Sequence, residues 1–153
     1  MALLAATRTS QDVLCAEFIF KFNDTAVDSV TGASKTFGSV YTDALILDAI
    51  NLPVGAEILG GHLVVEDQGA GPTAYTVKLG TAASDAIYLA ASDLKAADNT
   101  RYALLLTSAL GSADGSPIRL TIASTAANAT AGKFRITVLY KKDGRGGREV
   151  NPA

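Results

Sequence analysis

The run Leu52-Pro53-Val54-Gly55-Ala56-Glu57-Ile58-Leu59-Gly60-Gly61-His62-Leu63-Val64-Val65-Glu66-Asp67 decides the fold. A Pro-x-Gly turn feeds a long apolar strand, interrupted once by Gly60-Gly61. Proline fixes φ and has no N–H to give to a ladder, so Pro53 suits the entry to a strand. A glycine pair inside an apolar run predicts a bulge or bend, where a flat strand curls over a core. After the turn-rich Gln68-Gly69-Ala70-Gly71-Pro72 comes Ala74–Gly80, in which Tyr75, Val77 and Leu79 alternate with Thr76 and Lys78. A period of two marks a strand buried on one side.

The same pattern spreads in both directions. Upstream, Phe18, Phe20 and Phe22 share one face of Cys15–Phe22, and Glu17 and Lys21 flank Ile19 on the other. A short strand is expected around Thr36–Val40, after a polar loop through Gly32. Ala44–Ile50 is a strand by its length, although its apolar run is compatible with a helix too. Downstream, Asp85–Ala90 reads either as a strand or as part of an alanine-rich helix. Asp98-Asn99 is a turn, and Arg101–Thr107 a strand. Ile118, Leu120 and Ile122 then point inward, with Arg119 and Thr121 outward. In Lys133–Lys141 the apolar face is Phe134, Ile136, Val138 and Tyr140, opposite Arg135 and Thr137. About eight short strands with turn punctuation predict an all-β, antiparallel β-sandwich, best fitted by a jelly roll of two Greek keys. An immunoglobulin-like sandwich competes, but its Cys…Trp…Cys pattern is impossible without tryptophan. The expected division is an N-terminal arm (1–14), a sandwich domain (15–140) and a C-terminal arm (141–153), with a helical turn allowed in Ala2–Ala6.

With 153 residues, of which 48% are hydrophobic, the chain has enough apolar material for one packed domain and is no disordered polymer. A net charge of −2 gives no reason to expect nucleic acid or a membrane as partner. The charge is unevenly spread: Asp12–Tyr140 holds eight Lys/Arg against thirteen Asp/Glu, whereas Lys141–Ala153 holds four basic residues against two acidic ones. That glycine-containing basic tail either docks on an acidic partner or is a solvated end that aids solubility. The single cysteine, Cys15, excludes an internal disulfide and is expected to be a small buried hydrophobe at the start of its strand. Met1–Arg8 does not read as a signal peptide, and no run approaches the roughly 18–20 apolar residues of a membrane span. Synthesis in a cytoplasm and a soluble product follow as expectations.

Convergent catalytic groups are scarce. His62 is the only histidine, and no second histidine or partner cysteine exists to build a metal site around it, so a place on a strand surface or interface is expected. Glu66-Asp67, Asp85, Asp93 and Asp98 lack the spacing of a calcium loop or of paired hydrolytic carboxylates. Gly55, Gly60 and Gly61 open no helix and precede no Lys-Ser, so they form no phosphate loop. Ser84 and Ser108 have no histidine assigned to them. Gly144-Arg145-Gly146-Gly147-Arg148 is one copy of a glycine-arginine segment without aromatics, closer to a docking tail than to an RNA-binding element. No enzyme, catalytic residue, metal or cofactor is expected.

The series Leu52–Val65, then Tyr75-Thr76-Val77-Lys78-Leu79-Gly80, then Asp85-Ala86-Ile87-Tyr88-Leu89-Ala90-Ala91, resembles small structural proteins of tailed-bacteriophage particles. It is most similar to the jelly-roll cement, or decoration, proteins of the capsid exterior, over roughly residues 45–106 and more loosely in the last strand. The resemblance implies a virion protein that clamps adjacent major capsid subunits on the expanded shell against the pressure of packaged DNA. A homo-oligomer on a local symmetry axis is expected as well, a dimer or a trimer with the dimer slightly preferred, so that symmetry multiplies weak contacts. The terminal arms carry no family motif; Arg8, Lys141, Lys142, Arg145 and Arg148 are the expected capsid contacts on charge alone. The alternative is a receptor- or carbohydrate-binding β-sandwich of a head fibre or tail. It would need exposed aromatics, for which Tyr41, Tyr75, Tyr88 and Tyr102 are the candidates. A third class, a cupin-type jelly-roll enzyme, would need several metal-binding histidines.

Overall fold

A computed structural model describes residues 13–105 and 115–142. Within them the chain forms ten strands and no helix: β1 (Leu14–Lys21), β2 (Thr25–Val27), β3 (Ser34–Thr36), β4 (Leu45–Ile50), β5 (Ala56–Ala70), β6 (Ala74–Gly80), β7 (Leu89–Asp93), β8 (Arg101–Ala103), β9 (Ile118–Thr125) and β10 (Ala131–Lys142). Eight of them make two four-stranded sheets, β1-β10-β5-β8 and β4-β9-β6-β7, while β2 and β3 form a separate hairpin. Every pairing is antiparallel. After β1 the chain crosses to the second sheet at β4, returns for β5, and lays β6 and β7 side by side in the second sheet. It crosses again at β8, β9 and β10, which slots between β1 and β5. Neighbours in a sheet are therefore mostly distant in sequence, which is jelly-roll topology. The predicted sandwich is present, with the small hairpin inserted between its first two strands.

The interior follows from the alternation. Phe20, Phe134, Ile136, Val65 and Leu63 of the first sheet are buried against Leu45, Leu120, Ile122, Val77, Leu79 and Tyr75 of the second. At one end the aromatic rings interlock. Phe20 lies 5.1 Å from both Phe37 and Phe134, and Tyr75 meets Phe134 edge-on at 5.6 Å. Offset and T-shaped pairs place positive ring edges against negative faces and add to the area they bury. The Tyr75 hydroxyl donates to the Phe37 carbonyl at 3.3 Å, so the polar tip of this fully enclosed aromatic is satisfied.

The opening stretch is broken at Glu66, between Lys133↔Asp67 and Phe134↔Val65, and again one position from where the glycine pair suggested. Opposite β10 the register slips between Leu139↔Gly60 and Tyr140↔Ile58, which makes Leu59 the extra residue of a bulge. Gly61 is needed for a different reason. Its φ is 151°, and a Cβ there would collide with the Thr137 carbonyl and lie 2.8 Å from a Leu104 methyl. Gly60 has open space around its Cβ position.

Several local expectations shift. The strand expected at Asp85–Ala90 begins only at Leu89; Tyr88, just ahead of it in a bend, donates its N–H to the Leu79 carbonyl at 3.0 Å. The strand from Arg101 ends at Ala103, where Leu104 and Leu105 donate instead to the carbonyls of Gly61 and Tyr88; residues 106 and 107 lie outside the described residues. The strand expected at Thr36–Val40 is Ser34–Thr36, paired with the unforeseen Thr25–Val27. Cys15 is exposed, not buried: it alternates with Ala16 and Phe18 and so points away from the core. β10 runs to Lys142, two residues past the expected end of the domain.

Candidate functional site: the outer face of the first sheet

The inserted hairpin is anchored by a buried carboxylate. Asp28 is 1% exposed; its Oδ2 accepts from Lys35 Nζ and Ile46 N–H, both at 3.0 Å, and its Oδ1 accepts from the N–H groups of Val30 and Thr31 and from the Thr31 hydroxyl. Burial pushes the Asp28 carboxyl up, but the hydrogen bonds from Ile46, Thr31, Lys35 and Val30 outweigh it and hold the group well below its ordinary range. Lys35 Nζ also donates to the Asp43 and Ala44 carbonyls and lies 5.2 Å over the Tyr41 ring. Every bond of this cluster runs within the fold, so it locks the hairpin to β4 and leaves nothing for a ligand.

The outer surfaces of the two sheets differ. On the second sheet, Arg119 Nε holds Asp48 at 2.8 Å and Lys78 holds Asp85 at 2.9 Å. On the first sheet, outward residues come in cross-strand rows set by the register. One row is Glu17–Thr137–His62–Ala103; the next is Ile19–Arg135–Val64–Arg101. Glu66 receives Lys133 at 2.6 Å and also the Arg135 guanidinium. The Lys133 contact leads in drawing the Glu66 carboxyl below its ordinary value, with burial opposing and Arg135 assisting. Glu17 accepts from the Thr137 hydroxyl at 3.3 Å. Together Glu17, His62, Val64, Glu66, Asn99, Arg101, Arg135 and Thr137 enclose a depression of about 290 Å³.

The basic residues expected to meet a capsid are only partly within view. Arg8, Arg145 and Arg148 lie outside the described residues. Lys141 sits in β10 and pairs with Glu57 at 2.7 Å, which places it in the β5–β10 ladder; Lys142 closes the same strand. His62 takes a half-buried place on the outward face of β5, where a strand-surface histidine was expected. The four candidate tyrosines offer no stacking platform among the described residues. Tyr75 and Tyr88 are buried, Tyr41 is half-buried and accepts from Thr36 N–H, and half-buried Tyr102 donates to the Asp93 carbonyl. No group of three or more His, Cys, Asp or Glu side chains among the described residues is arranged to hold a metal ion. The sequence reading passed over Arg101 and Arg135 because their convergence depends on three strands from distant parts of the chain. The available signal was that both occupy outward positions on strands flanking the long central one.

No protein-family model matches the chain, and no curated protein matches it. Among solved structures, it is similar to a chain of the cyanophage Pam1 capsid asymmetric unit. The two are 26% identical, the match covers 92% of this chain and 94% of that one, and the TM-score is 0.63. It is also similar in fold to a chain of the acid-stable capsid of Helicobacter pylori bacteriophage KHP30, with 17% identity, 87% and 89% coverage and a TM-score of 0.57. The fold and the likeness to the Pam1 chain support a phage capsid-related protein, structural in role and located in the virion.

Proposed function

We propose that this chain is a decoration protein that binds the outer surface of a phage capsid and stabilises the shell by bridging major capsid protein subunits. The observation that carries the reading is the likeness, over nearly the full length of both chains, to a chain of a phage capsid asymmetric unit. The physical form suits the task. A jelly roll with interlocked aromatics is a stiff block, able to transmit load between the subunits it touches. The chain acts as a homo-oligomer, preferably a dimer, and symmetry multiplies modest contacts into stable attachment. Arg8, Lys141, Lys142, Arg145 and Arg148 supply basic charge for an acidic shell surface. Because Lys141 already pairs with Glu57, most of the terminal contribution falls to Arg145 and Arg148.

The test is co-sedimentation of purified protein with capsids that lack it. Saturable binding at a fixed ratio to capsid subunits, with shells that better resist heat or osmotic shock, is the expected result. A protein that stays in the supernatant would overturn the reading. Removal of residues 143–153 is expected to weaken occupancy while the thermal midpoint of the isolated protein stays unchanged; unchanged occupancy would remove the tail from the contact.

A further inference from the structure

The row Arg135–Val64–Arg101 is unusual for an outer sheet surface. Val64 points outward, yet it is only 9% exposed, and the register sets an arginine on the strand at each side of it. Adjacent strands lie about 4.8 Å apart, so the two arginine backbones are separated by roughly 10 Å, a gap that their long side chains can close from both sides. The two guanidinium groups are unequally provided for. Arg135 reaches Glu66 through Nη2, but its buried Nε has no acceptor. Arg101 is exposed, and its side chain makes no hydrogen bond or ion pair among the described residues. Beside them His62 and Asn99 line the same depression, and neither side chain is engaged in a hydrogen bond there. Glu66 holds Arg135 through Oε1 and Lys133 through Oε2, so this one carboxylate is shared by two cations and none of it is left for Arg101. Glu17, the other acid in the depression, belongs to the neighbouring row, on the far side of Thr137 from His62. Among the described residues, the depression thus holds one guanidinium group with no counter-charge, that of Arg101, beside an Arg135 whose Nε has no acceptor.

We propose that the Arg101–Arg135 pair, with His62 and Asn99, is a carboxylate-binding site that receives an aspartate or glutamate side chain from an acidic loop of the major capsid protein. The inference rests on the decoration reading and deepens it by naming the face that meets the shell. Charge complementarity selects the occupant. A carboxylate between two planar guanidinium groups accepts paired, charge-assisted hydrogen bonds that a single lysine does not reproduce. Val64 gives that carboxylate an apolar floor, where water competes less for the arginines. Glycans fit the depression poorly, because no exposed aromatic ring borders it.

Capsid-binding isotherms of the full chain are the test, with Arg101→Glu, Arg101→Lys and a control reversal on the opposite sheet, Lys78→Glu. Arg101 is exposed on a three-residue strand at a sheet edge, so its variants are expected to keep the wild-type thermal midpoint. Arg101→Glu is expected to bind shells at least tenfold more weakly and to lose most of the salt dependence of wild-type binding, because repulsion replaces attraction. Arg101→Lys is expected to recover only part of the affinity, and Lys78→Glu to stay within about twofold of wild type. If wild-type protein binds shells and Arg101→Glu binds equally well, or if Lys78→Glu weakens binding as much, the site is overturned while the decoration reading stands. Wild-type protein that does not bind shells overturns both.

Discussion

The two sheets of this sandwich are built alike inside and finished differently outside. On the second sheet, Asp48 and Asp85 balance Arg119 and Lys78, and Ile46, Thr121 and Lys78 form a half-buried row. On the first sheet, Glu66 is shared by two cations, Arg101 has no partner among the described residues, and Ile19, Leu59 and Leu139 are exposed. Folding does not require that difference, because the inner faces alone bury the core. Exposed apolar side chains on the same face as an arginine with no counter-charge among the described residues mark the surface that has something left to do. The second sheet, with its charges closed on themselves, is the internal control.

The change expected to break the comparison most severely removes the first sheet altogether. Gly61→Val forces a branched side chain onto a residue with φ of 151° and drives its Cβ into the Thr137 carbonyl, so β5 and β10 must separate. Backbone strain and overpacking together are expected to cost about 3 kcal/mol or more, measured by urea unfolding. Gly60→Ala, one residue away and with no neighbour in reach, is expected to change stability by less than about 1 kcal/mol. Equal effects would show that the close approach at Gly61 is not what holds this pair of strands.

Next in size is the buried pair that belongs to neither face. Asp28→Ala leaves Lys35 enclosed without its counter-charge, which typically costs about 3–5 kcal/mol. The pH dependence follows from the direction of the shift. The folded carboxyl sits below its ordinary value of 3.8, so on acidification the unfolded chain takes up the proton first. Its contribution is therefore complete above that ordinary value and is lost as the pH falls through it toward the folded pKa. Wild-type stability is expected to drop steeply below about pH 4, by up to about 1.4 kcal/mol per unit for this group. The Asp28→Asn protein, weaker at neutral pH, is expected to show a flatter acid limb. Parallel acid limbs in chemical denaturation would assign the acid lability to other carboxylates, with Glu66 the first to examine because its pKa is lowered too.

How far the sequence announced all this depends on the range of the signal. Strict alternation in Phe18–Phe22, Tyr75–Leu79, Ile118–Ile122 and Phe134–Tyr140 identified both the strands and their buried faces, because period two is a local property. The same alternation placed Cys15 outward, and only the residue type argued otherwise. Thr25–Val27 and Ser34–Thr36 are too short to show a period at all. Tyr88 misled by its apolar character: it is buried, but from an irregular segment ahead of β7. Asp28 gave no hint of its role, since its partners come from its own turn, from β3 and from β4. The arginine pair lay beyond local reading for the same reason. The periodicity of β10 shows that Arg135 faces outward, but only the order β10-β5-β8 brings Arg101 to the same spot.

The smallest expected effect sharpens the contrast between the faces. Arg119→Ala removes the best-formed ion pair of the second sheet, in which Nε meets Asp48 at 2.8 Å on a partly exposed surface. Exposed pairs gain little over hydration and hold two side chains still, so the expected loss of stability is about 0.2–1 kcal/mol by thermal unfolding. Shell binding is expected not to change, because that face has already neutralised its own charges. Glu66→Gln is the counterpart on the first sheet. It also costs only about 1 kcal/mol in stability, but it releases both Lys133 and Arg135 and is expected to strengthen attachment to an acidic surface. Two variants that match in the unfolding curve and diverge on the capsid would separate the charges that hold the sandwich together from those reserved for its neighbour. If Arg119→Ala weakened binding instead, the second sheet would be the face turned to the shell.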